Sequence, residues 1–313
     1  MSEVKNKLDL LQRLGPDMSI KVLTHLDPCD LVRVSTLSRS WHQFVIENGL
    51  CKHLCLKMFP ELSGVRHVIE VENMIEPVSN MLGSSSNWEY LKRNHKVYAF
   101  LACGLSPSIS RNCISSAVSA SSYNKIREEN DVNTLDPRDT SYWSSEGKSD
   151  PSVPETLEYM LTSKLCLITE IHVQPFQAYS AKAVRFRMGR ARYATKLELS
   201  EMCELDFFFA DKIFGGPQWT YTSPEFAMLQ ENCLQKFKLL EPVLCIGDVL
   251  QVELLGRVQK KEMDQLFYIC ISHVQAVGRP LLPAFDVEID HPSGKCRLKC
   301  MSPTRRGASS SHS

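Results

Sequence analysis

Residues 32–41 read Val-Arg-Val-Ser-Thr-Leu-Ser-Arg-Ser-Trp and follow a run of apolar residues at helical spacing. The members of that run are Met18, Ile20, Val22, Leu23 and Leu26. The helix that carries them is predicted to begin at Pro16 and Asp17, because proline suits a first turn and aspartate the positive end of the helix dipole. It is predicted to end at residues 27–28, an Asp-Pro pair.

Two more short helices are predicted after the first. One carries Leu31 and Val34, and Ser38 is placed to cap the next. The apolar stripe of that third helix is formed by Trp41, Phe44 and Val45. Because three helices this short bury only a small core, the unit is predicted to need a partner surface.

This order of residues resembles the F-box. The F-box pattern has an early Leu and Pro, a helix ending in Ile/Leu-x-x-Leu, an Asp-Leu pair, and then Val-Ser-x-x-Ser-x-x-Trp. The matching residues are Leu14, Pro16, Leu23, Leu26, Asp30, Leu31, Val34, Ser35, Ser38 and Trp41. Gly15 departs from the pattern by separating a leucine and a proline that usually adjoin, and it is expected to tilt the start of the helix slightly. Residues 49–60 resemble the helical extension that commonly follows an F-box.

The resemblance implies a partner and a role. An F-box docks on a Skp-type adaptor, which joins it to a cullin, so the chain would be a non-catalytic substrate-recognition subunit of an SCF-type ubiquitin ligase. The expected adaptor-contact residues are Leu14, Pro16, Ile20, Leu23, Leu31 and Val34, and some of them must instead fill the small core. The expected residues of the F-box core are Leu26, Trp41 and Phe44.

The carboxy-terminal half changes to strand patterns. Val184, Phe186 and Met188 alternate with arginines, and 250–254 alternate in the same way, which is typical of half-buried strands. Further strands are predicted at 165–173, 205–210 and 266–277. Several strands with few helices between them predict an antiparallel β-sandwich, and the chain as a whole is predicted to be α+β.

The start of this half resembles a galactose-binding-like (discoidin-like) jelly roll. The whole chain thus resembles plant-type F-box proteins that carry a galactose-binding-like β-sandwich at their C-terminus. The residues that carry the resemblance are Trp143, Ser144, Leu157, Tyr159, Leu161, Ile168 and Ile171. In such a fold, ligands would meet the loops at one end of the sandwich. One loop, whose shape is set by glycines and a proline, contains the candidate substrate-binding residues Phe214, Gln218, Trp219 and Tyr221. The alternative is that the aromatic residues of this loop only cover the edge of the core. A lectin-like or small-ligand-sensing F-box protein therefore stays open as an alternative function.

Five regions are predicted along the chain. They are an F-box and its extension (1–60), a helical linker region (61–104), a serine-rich polar linker (105–138), a substrate-binding β-sandwich (139–290) and a disordered tail (291–313).

Composition argues against several other classes. Lysine plus arginine and aspartate plus glutamate both number 36, and nucleic-acid-binding proteins usually carry a basic excess. The third predicted helix offers only Arg39 and Gln43 for reading bases, which argues against a DNA-binding helix-turn-helix. No apolar run approaches the ~20 residues that cross a bilayer, so we expect no membrane partner. Residues 1–10 lack the apolar stretch of a secretory signal, and the 12 cysteines are spread along the chain, which favours the cytoplasm or the nucleus.

We expect no metal, no cofactor and no catalytic residues. Cys51 and Cys55 lie on one face of their predicted helix, and His53 lies on the opposite face. Zinc needs four convergent ligands, and these three residues do not supply them. Cys296, Cys300 and His291 are likewise too few for a closed site, although three ligands could meet. A hydrolase-like β-domain is the remaining rival, since many cysteine and histidine pairs are available by chance.

Overall fold

The computed structural model describes residues 9–64, 84–110, 112–124, 134, 142–177, 179–190, 217–289 and 296–300. The chain folds as two compact units, one helical and one built of β-sheets, and the main boundary between them falls after Leu105. The fold class is α+β, as predicted.

The helical unit has five helices among its described residues. They are α1 (Leu10–Leu23), α2 (Pro28–Ser35), α3 (Arg39–Glu47), α4 (Leu50–Met58) and α5 (Ser84–Gly104), with a 3₁₀ turn at Pro60–Gly64. The Asp27 side chain accepts a hydrogen bond from the Asp30 amide at 2.9 Å and caps α2, which has Pro28 in its first turn. Ser38 caps α3 by accepting from the Trp41 amide at 3.3 Å, as its position predicted.

Gly15 has a larger effect than the slight tilt predicted for it. Its φ of +73° is left-handed, so the backbone of α1 is kinked there and helical on both sides. Pro16 and Asp17 consequently open a new helical turn, in agreement with the sequence. The Ser19 hydroxyl donates to the Gly15 carbonyl at 2.7 Å, which ties the new turn to the kink.

A small apolar core holds the helices together. It consists of buried side chains from α1 to α5: Leu23, Leu31, Val45, Leu50, Cys51, Leu54 and Ala99. The leucine and valine side chains contribute roughly 1.5–3 kcal/mol each when buried, so the core is small.

The sheet unit has strands β1 (Ile114–Ala120), β2 (Trp143–Ser144), β3 (Glu155–Leu161), β4 (Leu165–Pro175), β5 (Ala181–Arg190) and β6 (Gln218–Thr222). They are followed by β7 (Phe226–Ala227), β8 (Gln235–Ile246), β9 (Val249–Arg257), β10 (Cys270–Pro280), β11 (Phe285–Ile289) and β12 (Cys296–Cys300). One sheet has the order β1-β3-β9-β5-β6, with β7 beside β5, and a second has the order β2-β10-β4-β8. A two-stranded β11-β12 sheet completes the unit, and all pairings are antiparallel.

The two larger sheets share one apolar core, which confirms the predicted β-sandwich. Alternate residues of β3 (Leu157, Tyr159 and Leu161) are buried there, and the residues between them are partly exposed. The side chains of Val184, Phe186 and Met188 enter the same core, in the alternation that the sequence indicated. Trp143 is buried as well, and its Nε1 donates to the Ser122 carbonyl at 3.0 Å.

Two of the predicted boundaries are wrong in part. The polar linker predicted over 105–138 contains β1, which pairs with β3 and buries Ile114 and Ala120, while Ser115 and Ser116 face solvent. The tail predicted as disordered over 291–313 contains β12, which pairs with β11. The strand predicted at 205–210 lies outside the described residues.

Candidate functional site

Helix α1 exposes Leu10 at its start and, after the kink at Gly15, two further apolar side chains, which we call the α1 face. Met18 and Val22 lie one helical turn apart and are 50% and 44% exposed. Ser19 and Leu23, which follow each of them directly, are buried on the other side of the helix. Paired apolar side chains left uncovered by a complete core mark a candidate contact surface.

The structure divides the predicted adaptor-contact residues into two groups. Leu23 and Leu31 belong to the core, and Leu31 has no exposed surface at all. The other four keep exposed surface and stay predicted contacts: Leu14, Pro16, Ile20 and Val34. A partner could reach Leu23 or Leu31 only by opening the core, so these two support the face from within.

The predicted core residues Leu26, Trp41 and Phe44 pack against the apolar core as half-buried side chains. The Trp41 indole Nε1 also donates to the Asp9 carboxylate at 2.9 Å, and the Ser40 hydroxyl donates to the same carboxylate at 3.4 Å. These contacts tie the start of α1, before the kink at Gly15, to α3.

Sequence reasoning missed the two residues of the α1 face as contact candidates. Met18 and Val22 were placed on the same apolar side as Leu23, because a 3.6-residue period cannot separate neighbouring positions of a wide stripe. The spacing alone could have shown the difference, because consecutive residues lie about 100° apart around a helix. A core on one side of α1 therefore cannot fully bury both Val22 and Leu23.

The candidate substrate-binding residues of the sandwich lie on or beside β6, and Phe214 lies outside the described residues. The Gln218 side chain accepts from the Arg190 guanidinium, with the Nε donor at 3.0 Å. Tyr221 packs against the sandwich core, and burial raises the pKa of its phenol, with a smaller contribution from Glu241. Trp219 is half-buried. The structure therefore keeps Gln218 and Trp219 as accessible candidates and gives Tyr221 a packing role.

Comparison with known proteins identifies the helical unit. Residues 11–53 match the F-box domain. The chain is also 44% identical over 311 residues to the F-box protein At4g00755 of Arabidopsis thaliana, an alignment that covers 94% of this chain and 82% of that protein. The chain belongs to the F-box protein family. The predicted plant-type F-box membership is thereby confirmed, and α1 to α3 with the start of α4 form the F-box.

The sheet unit of this F-box protein resembles carbohydrate-binding β-sandwich modules. Chitosan-binding module 1 of a chitosanase/glucanase from Paenibacillus sp. IK-5 is 10% identical, with a TM-score of 0.36 over 53% of this chain and 98% of the module. The C-terminal domain of a chitobiase from Bacteroides fragilis is 13% identical, with a TM-score of 0.35 over 56% of this chain and 99% of the domain.

Metal ligands do not converge in the F-box protein within the ranges that the structure describes. Cys51 and Cys55 are buried in α4, whereas His53 points to solvent, as their spacing predicted. His291, the third member of the other predicted cluster, lies outside those ranges. Among the described helices, none is long and apolar enough to span a bilayer.

The cysteines of the F-box protein divide by burial, and this division predicts their reactivity. Burial raises the pKa of Cys51, Cys55 and Cys245 to about 12, so their thiolates are scarce at neutral pH. Cys29 and Cys233 are exposed. We expect iodoacetamide to alkylate the two exposed thiols at least about tenfold faster than the three buried ones. Mass spectrometry of the peptides that contain these cysteines measures the rates.

Protein unfolded in urea is the control, and there all five thiols should react at similar rates. Rapid alkylation of Cys245 in the folded protein would contradict the buried core around it.

Proposed function

We propose that this chain is the substrate-recognition subunit of an SCF-type ubiquitin ligase. Its F-box docks on a Skp-type adaptor, and the sandwich holds the target. The observation that carries the proposal is the α1 face: the helical unit completes its core with residues from α1 to α5 and still leaves Met18 and Val22 uncovered. The family membership agrees with this role.

Docking would bury the α1 face against helices of the adaptor. Burying a side chain such as methionine or valine gives roughly 1.5–3 kcal/mol, so two half-exposed ones supply a useful share of a specific interface. Pro16 and the half-buried Leu14 and Ile20 lie on α1, and the half-buried Val34 lies on α2. Their exposed surface would extend the contact. The adaptor then connects the chain to a cullin.

The role of the chain in ubiquitin transfer would be proximity. A separate conjugating enzyme carries ubiquitin as a thioester, and a target lysine attacks it. Holding target and thioester in one complex raises their effective concentration without a nucleophile from this chain. We place the activity in the cytoplasm or the nucleus, which suits the use of cysteine as a buried core residue at Cys113, Cys166 and Cys245.

The target would be held by the sandwich, with Gln218 and Trp219 as candidate contacts. They lie on β6, at the edge of the larger sheet. Interfaces depend on a few anchors, and tryptophan is the residue type most often found among them.

A pull-down against a Skp-type adaptor tests the proposal. We expect the Met18→Asp and Val22→Asp double variant to lose at least about tenfold in adaptor binding, because each change places a charge in an apolar contact. The fold should persist, since both side chains are half-exposed in the free chain.

A matched control applies the same chemical change elsewhere. Leu240 and Met263 of the sandwich are 78% and 88% exposed, and Leu240→Asp with Met263→Asp should leave adaptor binding at the wild-type level. Equal recovery of wild type and of the α1 double variant would rule out the α1 face as the docking surface.

A further inference from the structure

The F-box unit has a groove that the α1 face does not include. It has a volume of about 550 Å³ and is formed by the end of α2, the start of α3 and Trp88 of α5. Arg39, His42 and Gln43 line it from α3. These three side chains are exposed, so the groove is open along its length.

The groove and α1 lie on different sides of α3. Ser40 and Trp41 face α1, since both donate hydrogen bonds to Asp9. Arg39 and His42 instead face Trp88, across the groove. Neither Met18 nor Val22 lines the groove, so a ligand there would not occupy the α1 face.

The groove carries unpaired positive charge. No carboxylate is among its lining residues, and within the part of the chain that the structure describes no ion pair holds the Arg39 guanidinium. Arg33, by contrast, is held by Asp30 at 2.7 Å. Glu47 accepts from the Gln43 amide at 2.7 Å. Lys92 lies 5.4 Å from the centre of the Trp88 ring but is paired with Glu89 at 2.8 Å, so the unpaired charge at the groove is that of Arg39.

His95 packs against His42, one of the residues that line the groove. The His95 ring packs edge-on against His42, with centroids 5.8 Å apart, and its Nδ1 is buried without a hydrogen-bond partner. Burial, together with the positive charges of His42 and Lys96, lowers the pKa of His95 to about 4. His95 is therefore neutral at physiological pH, and the charge that meets a ligand comes from Arg39.

The shape of the groove selects the kind of ligand. Its volume is in the range of about 300–1,000 Å³ that holds organic ligands, and it is far too large for a single ion. An open groove suits an extended chain better than a small enclosed molecule. The half-buried Trp88 ring supplies an apolar contact, and the Arg39 guanidinium can bind a carboxylate through two parallel hydrogen bonds.

We propose that this groove binds an extended acidic peptide segment of a partner protein, with carboxylates at Arg39 and His42 and an apolar side chain against Trp88. The groove would be a second docking site on the F-box unit. It does not depend on the adaptor, so its test is separate from that of the proposed function.

The test selects ligands without presupposing their sequence. Random octapeptides displayed on phage are selected on the full-length chain, with no adaptor present, and the enriched peptides are resynthesised with fluorescein. We expect enrichment of peptides that combine Asp or Glu with a large apolar residue. In fluorescence polarisation, Arg39→Glu should weaken their binding at least about tenfold and Trp88→Ala at least about fivefold. Raising the salt concentration should weaken binding to wild type.

Two control variants complete the design. Arg13→Glu makes the same change of charge at an exposed position of α1, and Met18→Asp with Val22→Asp alters the α1 face. Both should bind the peptides as wild type does. Arg39→Gln replaces Arg39→Glu if the glutamate variant does not fold. The proposal is overturned if no acidic peptide is enriched, or if the enriched peptides bind the Arg39 variant and wild type equally, or if Arg13→Glu weakens them as much.

Discussion

Arg257→Met should destabilise the sandwich unit by about 3–5 kcal/mol, because it leaves a buried carboxylate without its counter-ion. The Arg257 and Glu155 side chains are ion-paired, with 0% and 2% of their surfaces exposed. The guanidinium also donates to the carbonyl oxygens of Val153 at 3.1 Å, Glu146 at 2.8 Å and Phe267 at 3.1 Å. All of these acceptors would lose a donor.

The network also supports the carboxylate. Glu155 accepts from the hydroxyls of Ser121 and of Ser122, the latter at 2.8 Å. It thereby joins the loop after β1 to the beginning of β3 and to the end of β9. Because the partners come from distant parts of the chain, their loss loosens one whole end of the sandwich rather than a single strand.

Urea unfolding with hydrogen exchange read on β3 and β9 measures this effect separately from the helical unit. Arg185→Met is the matched control: Arg185 pairs with Glu253 at 2.7 Å, but its side chain is partly exposed, so we expect a loss of about 1 kcal/mol or less. The double variant Glu155→Gln and Arg257→Met should recover part of the loss, because it removes the unpaired charge. Equal stability of the two arginine variants would contradict the importance of the buried pair.

The sequence predicted the elements whose local signals agree with their tertiary surroundings. Asp27, Pro28 and Ser38 begin short helices through contacts with near neighbours, so the F-box could be recognised from order and spacing alone. The alternation along β5 was equally clear, because every second residue enters the core.

Local signals failed where the tertiary position of a residue decides its role. Strand β1 is rich in serine and was predicted as a linker, yet serines on its outward side are compatible with an edge strand that buries only Ile114 and Ala120. On α1, the helical period could not show that Leu23 fills the core while Met18 faces solvent, because the neighbouring helices make that choice.

Features made by distant residues had no local signal at all. Glu155 and Arg257 are far apart in the sequence, and so are Arg39 and Trp88, which meet at the groove. A charged residue inside a strand pattern, such as Arg257 at the end of β9, indicates only that some partner is needed. The identity of that partner depends on the register of the sheet.

Gly247→Ala should destabilise the sandwich by roughly 3 kcal/mol or more, because the new methyl group would overlap the backbone and the residue would hold an unfavourable conformation. Gly247 forms the turn between β8 and β9 with a φ of +138°. A Cβ atom there would lie 2.1 Å from the Gly189 carbonyl oxygen, and a backbone atom cannot move aside as a flexible side chain can.

The effect should extend to β6, because Gly189 is itself in close contact. A Cβ on Gly189 would lie 2.2 Å from the Gln218 carbonyl oxygen, so the turn, the end of β5 and the start of β6 stack without room for a side chain. Displacing Gly189 would move Gln218 and Trp219, the accessible candidates for target binding. We therefore expect faster hydrogen exchange in β6 of the Gly247 variant, together with its lower stability in urea.

Gly256→Ala separates backbone overlap from conformational strain. Gly256 also has a positive φ, +71°, but the atoms nearest to a Cβ there belong to the Lys182 side chain, at 3.0–3.2 Å, and none of them is a backbone atom. Its substitution should cost about 1–2 kcal/mol, mainly from the left-handed conformation, and leave exchange in β6 unchanged. If both alanine variants lost the same stability, the close stacking of the turn on β5 would not be what holds β6, and the candidate target-binding strand would depend on its other neighbours.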